Sequence, residues 1–411
     1  VAELDAGCRT LRAYTERANN SLTLPDYFTH RFEDRSRLLR VVPALVILVF
    51  FALYVASGVV AGGRLIEGVF GVPYATAIWI GAGVTIAYTL VGGFLAVSWT
   101  DTAQGLLMLF ALVVTPITVV YFNGGFADSV ALVREVDVAY LSLVGAGGWV
   151  AIVSGLAWGL GYFGQPHILV RFMAAESVAS IPTARRIGVG WMLLCLFGSL
   201  GVGFFGIGWF ANNPEFAGPV QENAERVFLS LVTVVFHPWI AGILLSAILA
   251  AIMSTLNSQL LVCSSALTED FYRAFLRRTA SQVELLWVGR ITLLLVSLVA
   301  IWMARDPDAR VLQLVSYAWA GFGAAFGPVI VLSLLWRRMT RDGALAGMLV
   351  GSLVVLVWNR FGWFGVYEMI PGVALATLAI VGVSLLGRPP ATSVDDTFTG
   401  MEGDMRDARG V

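Results

Sequence analysis

The chain has 411 residues, of which 58% are hydrophobic and 13% charged, with a mean hydropathy of +0.81. Soluble domains carry about a quarter charged residues, so this composition excludes a soluble globular protein and requires one embedded in lipid. The formal net charge of −1 removes nucleic acid as an expected partner.

Residues 1–40 read as a polar leader ending in the charge-rich run Arg31-Phe32-Glu33-Asp34-Arg35-Ser36-Arg37. A bilayer span needs about 20 mainly apolar residues. Ten segments qualify or nearly do: 41–63, 74–97, 101–122, 147–163, 187–211, 239–266, 285–304, 310–336, 342–358 and 364–386. They predict an all-α polytopic membrane protein with about ten transmembrane helices. The loop 123–146 holds a short amphipathic stretch at 128–136, and the loop 212–238 a second interfacial helix at 222–236 ended by His237-Pro238. Residues 388–411 form a polar tail expected to be disordered.

Arginines set the orientation, because cytoplasmic loops carry the excess of positive charge. With the N-terminus inside and the spans alternating, 19 arginines fall inside and 6 outside, with Arg290 left within a helix. Both termini are therefore expected in the cytoplasm. The basic residues are all arginine, which removes lysine Schiff-base chemistry. Cys8, Cys195 and Cys263 are scattered, without a CxxC or Cys/His cluster, and read as small buried hydrophobes. No HExxH, P-loop, GxSxG or paired-carboxylate constellation occurs, so an enzyme is not expected.

The apolar stretch 148–163 is short for a span and runs into Gly164-Gln165-Pro166. Backbone that leaves the helix inside a bilayer is tolerated only where protein buries it or where it lines a cavity. In a transporter-like chain such an interruption points to the substrate. Trp158 and Tyr162, four residues apart, are expected on one helix face just before the break. They suit the wall of a pocket for a small amphipathic solute, or else they pack a core or an interfacial belt. In segment 239–266, Ser254 and Thr255 lie three and four residues past Ala251, so their hydroxyls can meet its carbonyl. Such an oxygen-only set fits a hard monovalent cation, and hydroxyls in membrane helices also bond back to their own helix or join neighbours. Tyr54 and Ser57 share a face of segment 41–63. Asp101 is expected to open a helix and complement its dipole. Arg290 is expected to snorkel toward Glu284, and His167 has no catalytic partner in the sequence.

These residues sit in longer blocks. Among them are Leu24-Pro25-Asp26-Tyr27-Phe28, Gly92-Gly93-Phe94-Leu95-Ala96-Val97-Ser98-Trp99-Thr100-Asp101 and Gly159-Leu160-Gly161-Tyr162-Phe163-Gly164-Gln165-Pro166-His167. Others are Leu249-Ala250-Ala251-Ile252-Met253-Ser254-Thr255-Leu256, Ser316-Tyr317-Ala318-Trp319-Ala320 and Phe322-Gly323-Ala324-Ala325-Phe326-Gly327-Pro328. Through them the chain, from the leader to about residue 387, resembles the sodium:solute symporter family. The resemblance implies a LeuT-like inverted-repeat transporter fold with alternating access, and sodium-coupled import of L-proline across the bacterial cytoplasmic membrane. It implies that Tyr54, Trp158, Tyr162, Gly164 and Pro166 surround the substrate. It further implies that Ala251, Ser254 and Thr255 ligate sodium and that Asp101 lies on the sodium path.

Laid on the family pattern, residues 41–122 are the remainder of an incomplete first repeat, 147–336 the second repeat and 342–387 peripheral helices. An extra N-terminal helix and the first two helices of the first repeat are not represented. The expectation is that this stretch alone binds sodium and proline poorly, the transport function being that of the complete protein. Apart from sodium, L-proline and membrane lipid, no partner is evident, and no protein partner is expected. A symporter for another small solute, with a different aromatic set, and a transporter-like membrane sensor are the competing expectations.

Overall fold

The computed structural model describes residues 2–18, 20–142, 148–390, 394 and 396–401, with residues 2–8 and 93–96 described by backbone alone. The end of the loop before the broken segment and much of the expected tail lie outside the described residues. Among these residues there is no strand. The helices are α1 (Ala2–Arg17), α2 (Leu24–Arg31), α3 (Leu38–Phe70), α4 (Tyr74–Phe122), α5 (Phe126–Val136), α6 (Gly148–Ala157), α7 (Pro166–Met173) and α8 (Ile181–Asn212). They continue with α9 (Gly218–Glu222), α10 (Val227–Val235), α11 (Pro238–Ser265), α12 (Gln282–Met303), α13 (Val311–Leu335), α14 (Arg341–Phe361) and α15 (Met369–Leu386). Among the described residues nine helical stretches are long and apolar enough to cross a bilayer, and Gly148–Gly164 adds a shorter apolar one.

Several boundaries follow from local chemistry. Pro166 and Pro238 occupy the first turns of α7 and α11, where a missing N–H costs nothing. Ser281 accepts from Glu284 N at 3.2 Å to cap α12, and Thr340 accepts from Gly343 N at 3.1 Å to cap α14.

α4 runs as one helix of 49 residues, yet it cannot be a straight rod. Tyr88 and Thr100 hydroxyls are hydrogen-bonded, although twelve residues of straight helix would separate their Cα atoms by about 18 Å. The helix therefore doubles back into two arms, Tyr74–Gly92 and Val97–Phe122, which are the two spans expected from the sequence. The first arm lies against α3, where a Cβ on Gly81 would come within 3.2 Å of the Gly62 backbone. Such small-residue contacts let helices associate where lipid supplies no hydrophobic drive. The second arm packs on α8, with Trp191 Nε1 donating to Gly105 O at 3.0 Å.

α13 is the central helix, with 83% of its apolar window buried. The α14–α15 hairpin, α3 and the broken segment pack around it. The leader is less of a solvated arm than its charge suggests. Leu11, Tyr14, Tyr27 and Phe28 are buried, Tyr27 Oη and Ser333 Oγ lie 2.8 Å apart, and Arg31 Nε donates to Ser333 O at 2.9 Å. Burial pushes the Tyr27 phenol up, so it remains a neutral hydrogen-bonding group. The described part of the tail departs from the expected disorder: residues 396–401 are helical and Phe398 is buried against the Arg31 guanidinium. An apolar anchor in a polar segment and a cation–π contact explain the difference. The sequence reading also lacked the eleven-residue π-helix Ala266–Leu276 that prolongs α11.

Candidate functional site

The break expected after residue 163 is present. α6 ends at Ala157, Trp158–Gly164 is a 3-10 helix, Gln165 is extended (φ −79°, ψ 110°), and α7 starts at Pro166. Gln165 is fully buried, and its Nε2 donates to Gly161 O and Trp319 O at 3.2 Å each. The side chain thus satisfies a carbonyl of the unwound turn and ties it to α13. Gly161 and Gly164 permit this contact. A Cβ on Gly161 would lie 2.0 Å from Trp319 Nε1, and one on Gly164 would lie 2.3 Å from Phe322 O.

The 3-10 winding changes the relation of Trp158 to Tyr162. At 120° per residue they no longer share an α-helical face, yet both meet Trp319. Trp158 lies parallel to Trp319 (centroids 5.4 Å apart) and to Tyr367 (6.1 Å), while Tyr162 meets Trp319 edge-on at 4.9 Å. Trp319 Nε1 donates to Trp158 O at 2.9 Å. Tyr54 joins from the other side of the break. Its ring and that of Phe51 contact His167 at 5.9 and 5.6 Å, immediately after Pro166.

α11 carries the oxygen set. Ser254 Oγ donates to Ala251 O at 3.1 Å, whereas Thr255, half-buried, makes no hydrogen bond among the described residues. One turn of α3 past Tyr54, a Cβ on Gly58 would strike the Leu256 side chain at 2.5 Å. α3 therefore touches both the broken segment and the hydroxyl-bearing turn of α11. Among the described residues no hydrogen bond or ring contact joins 158–164 to 251–255 directly.

Asp101 differs from its sequence reading. α4 is helical on both sides of it, so there is no helix N-terminus for it to complement. Instead its Oδ2 accepts from Arg171 on α7 at 2.7 Å, and the same guanidinium donates to Ser258 Oγ on α11 at 2.6 Å. Asp101 Oδ1 is buried without a hydrogen bond. Arg290 also departs from expectation: it stacks on Trp287, and Glu284 is engaged by Arg277 at 2.9 Å and by Tyr272. Sequence reasoning missed Gln165, Arg171, Ser258, Trp319 and Tyr367. Gln165 was flagged by its place between Gly164 and Pro166; the others are paired across distances of 50 residues or more and left no local signal.

A cavity of about 620 Å³ opens beside these elements, lined by Thr23, His167, Arg171, Ser258, Ser265 and Asp270 among others.

The sodium:solute symporter family model matches residues 9–351. The chain belongs to the sodium:solute symporter family. It is 60% identical over 388 residues to the sodium/proline symporter of Escherichia coli strain K12, covering 94% of this chain and 77% of that relative. It is 50% identical over 396 residues to the high-affinity proline transporter PutP of Bacillus subtilis strain 168, covering 96% and 83%. Among solved structures, a Na+-coupled sialic acid symporter in a substrate-bound, outward-open state superimposes with a TM-score of 0.74 at 19% identity, covering 94% of this chain and 84% of that one. The fold is accordingly the LeuT-like symporter fold, and this family member is a multi-pass membrane transporter rather than an enzyme.

Proposed function

We propose that this chain is a sodium-coupled secondary transporter that imports L-proline across the bacterial cytoplasmic membrane, with both termini cytoplasmic. The observation that carries the reading is the unwound segment Trp158–Gly164 and extended Gln165, set against aromatic rings, in a chain 60% identical to a sodium/proline symporter. The same reading assigns 41–122 to the remainder of the first inverted repeat, 147–336 to the second and 342–387 to peripheral helices.

Tyr54, Trp158 and Tyr162 form an aromatic wall for the pyrrolidine ring, and the break at Gly164 and Pro166 holds that wall in place. Trp319 and Gln165 fix the wall from behind. Sodium, as cargo, is held by oxygen: the Thr255 hydroxyl is unengaged, and Ser254 can release the Ala251 carbonyl by rotating its hydroxyl away. Asp101 lies on the ion's route, held by Arg171.

One positive charge crossing the membrane is worth about 2.3 kcal/mol per 100 mV, which drives accumulation without ATP. Coupling requires that sodium bind the proline-ready conformation more tightly than the other, since a ligand shifts an equilibrium only by its differential affinity.

The test is radiolabelled L-proline uptake by cells expressing the full open reading frame that encodes this chain. Uptake is expected with sodium outside and is expected to vanish when choline replaces it. Sodium-independent uptake would refute the coupling, and a saturating preference for another solute would refute the substrate.

A further inference from the structure

Beyond the break, α11 turns into the π-helix Ala266–Leu276, and the side chain it buries most deeply among polar ones is Asp270, 1% exposed. π-helical turns are rare and concentrate at functional sites. Among the described residues, no side chain other than the Thr23 hydroxyl is placed to donate a hydrogen bond to the Asp270 carboxylate. Its charged neighbour is Arg40 at the start of α3, with Nε 3.4 Å from Oδ1. That guanidinium is already committed to Asp26 of α2 through Nη2. His30 adds only its ring nitrogen, 3.6 Å from Asp26.

Two carboxylates therefore share one guanidinium, in a setting where a buried carboxylate normally collects several donors. The other ionised groups nearby do not repair the deficit. Glu269 is matched by Arg273 at 3.0 Å, Arg171 is spent on Asp101, and Arg290, on α12, stacks on Trp287. Asp270 and the Thr23 residue beside it both line the 620 Å³ cavity, together with Ser258 and Arg171. One turn past Thr255 the cavity wall begins at Ser258, follows α11 to Ser265 and continues along the π-helix to Asp270. An under-donated, buried carboxylate facing a cavity recognises a small hard cation, for which oxygen ligands are the natural match.

We propose that Asp270, with the Thr23 hydroxyl beside it, forms a second station for sodium on the cavity wall, distinct from Ala251, Ser254 and Thr255, where the ion pauses after leaving the transport site. Arg40 is its resident competitor: by neutralising part of the charge of Asp26 and Asp270, it keeps the station weak enough to empty. This proposal rests on the sodium-coupled reading above, and the variants below separate the two.

The experiment is radio-sodium binding to the purified product of the full open reading frame, in lipid nanodiscs at constant pH. In a Ser254→Ala, Thr255→Ala double variant the transport-site binding is lost, and a weaker sodium-binding component is expected to remain. Adding Asp270→Asn should abolish that component. Arg40→Gln should tighten it by about tenfold, the order expected when one positive charge leaves a partly buried site, and a gain of affinity cannot arise from misfolding. The station is overturned if no sodium binding remains in the double variant. It is also overturned if that binding is indifferent to both Asp270→Asn and Arg40→Gln, the cluster then being a structural ion pair only. Unchanged binding in the Ser254, Thr255 double variant counts against the transport-site assignment alone, because the Asp270 and Arg40 variants report independently of it.

Discussion

The side chains of Ser254 and Thr255 sit in adjacent positions and make different predictions. Ser254 is bonded to its own helix at Ala251 O, while Thr255 presents a hydroxyl that nothing engages. Thr255→Ala is therefore expected to raise the sodium concentration for half-maximal proline uptake by about tenfold or more, the loss of one charge-assisted contact. Ser254→Ala should act in the same direction but less. The measurement is sodium-dependent uptake at saturating proline, and equal sodium curves for Thr255→Ala and the parent would remove that hydroxyl from the ion site. Gly161 makes a steric prediction. A methyl there meets the Trp319 indole at 2.0 to 2.8 Å, so Gly161→Ala should cost about 1–3 kcal/mol of stability by overpacking. Proline transport should fall with it, as Trp319 is pushed from its stack on Trp158; a thermal melt in detergent and an uptake assay read the two effects. At this scale the sequence was informative where chemistry is local. The Gly164-Gln165-Pro166 interruption and the Ser254-Thr255 pair could be read directly, whereas the stacking of Trp319 and Tyr367 on Trp158 depends on packing between helices distant in sequence.

Among elements, α7 is only eight residues long yet ties two long helices together. Arg171 joins it to α4 through Asp101 and to α11 through Ser258. Arg171 is about half exposed while Asp101 is largely covered, so screening reduces the pair's worth. A double-mutant cycle with Arg171→Gln and Asp101→Asn is expected to give a coupling of about 1 kcal/mol. Thermal unfolding of the four proteins measures it, and additive effects would show that the pair is incidental. Helix periodicity and span length located every long helix, most to within a few residues, while α3 ends seven residues later, α8 begins six earlier and α15 begins five later than expected. They could not show that α4 stays helical through its reversal, because the Tyr88–Thr100 contact that betrays the fold is a tertiary fact. Nor could they show the π-helix after Ser265, which no periodicity in the sequence marks.

For the whole molecule, the two ends differ in closure. At the end bearing α2 and the π-helix, the 620 Å³ cavity is open. At the other, Glu67 is held by Arg64 at 3.4 Å and Arg226 at 3.3 Å, and Glu225 accepts from Val311 N and Leu312 N at the start of α13. In the orientation proposed above, this arrangement faces inward. A cysteine at Ser265, on the cavity wall, should then react with a membrane-impermeant thiol reagent applied from the cytoplasmic side of everted vesicles, and much less in right-side-out vesicles. Equal labelling from both sides would contradict this. Composition alone declared the membrane, and the arginine bias supplied an orientation, but which end stands open is decided by contacts among α2, α3, α11 and α13 that no single segment encodes. The seam between α3 and the first arm of α4 carries a last consequence. A methyl added at Gly62 would find its nearest neighbour at 3.8 Å, ordinary contact, whereas one added at Gly81 meets main-chain atoms at 3.2 to 3.4 Å that cannot swing aside. The junction is lopsided: an alanine is accommodated at Gly62 as the helices stand, whereas at Gly81 it would wedge the two backbones apart by a few tenths of an ångström.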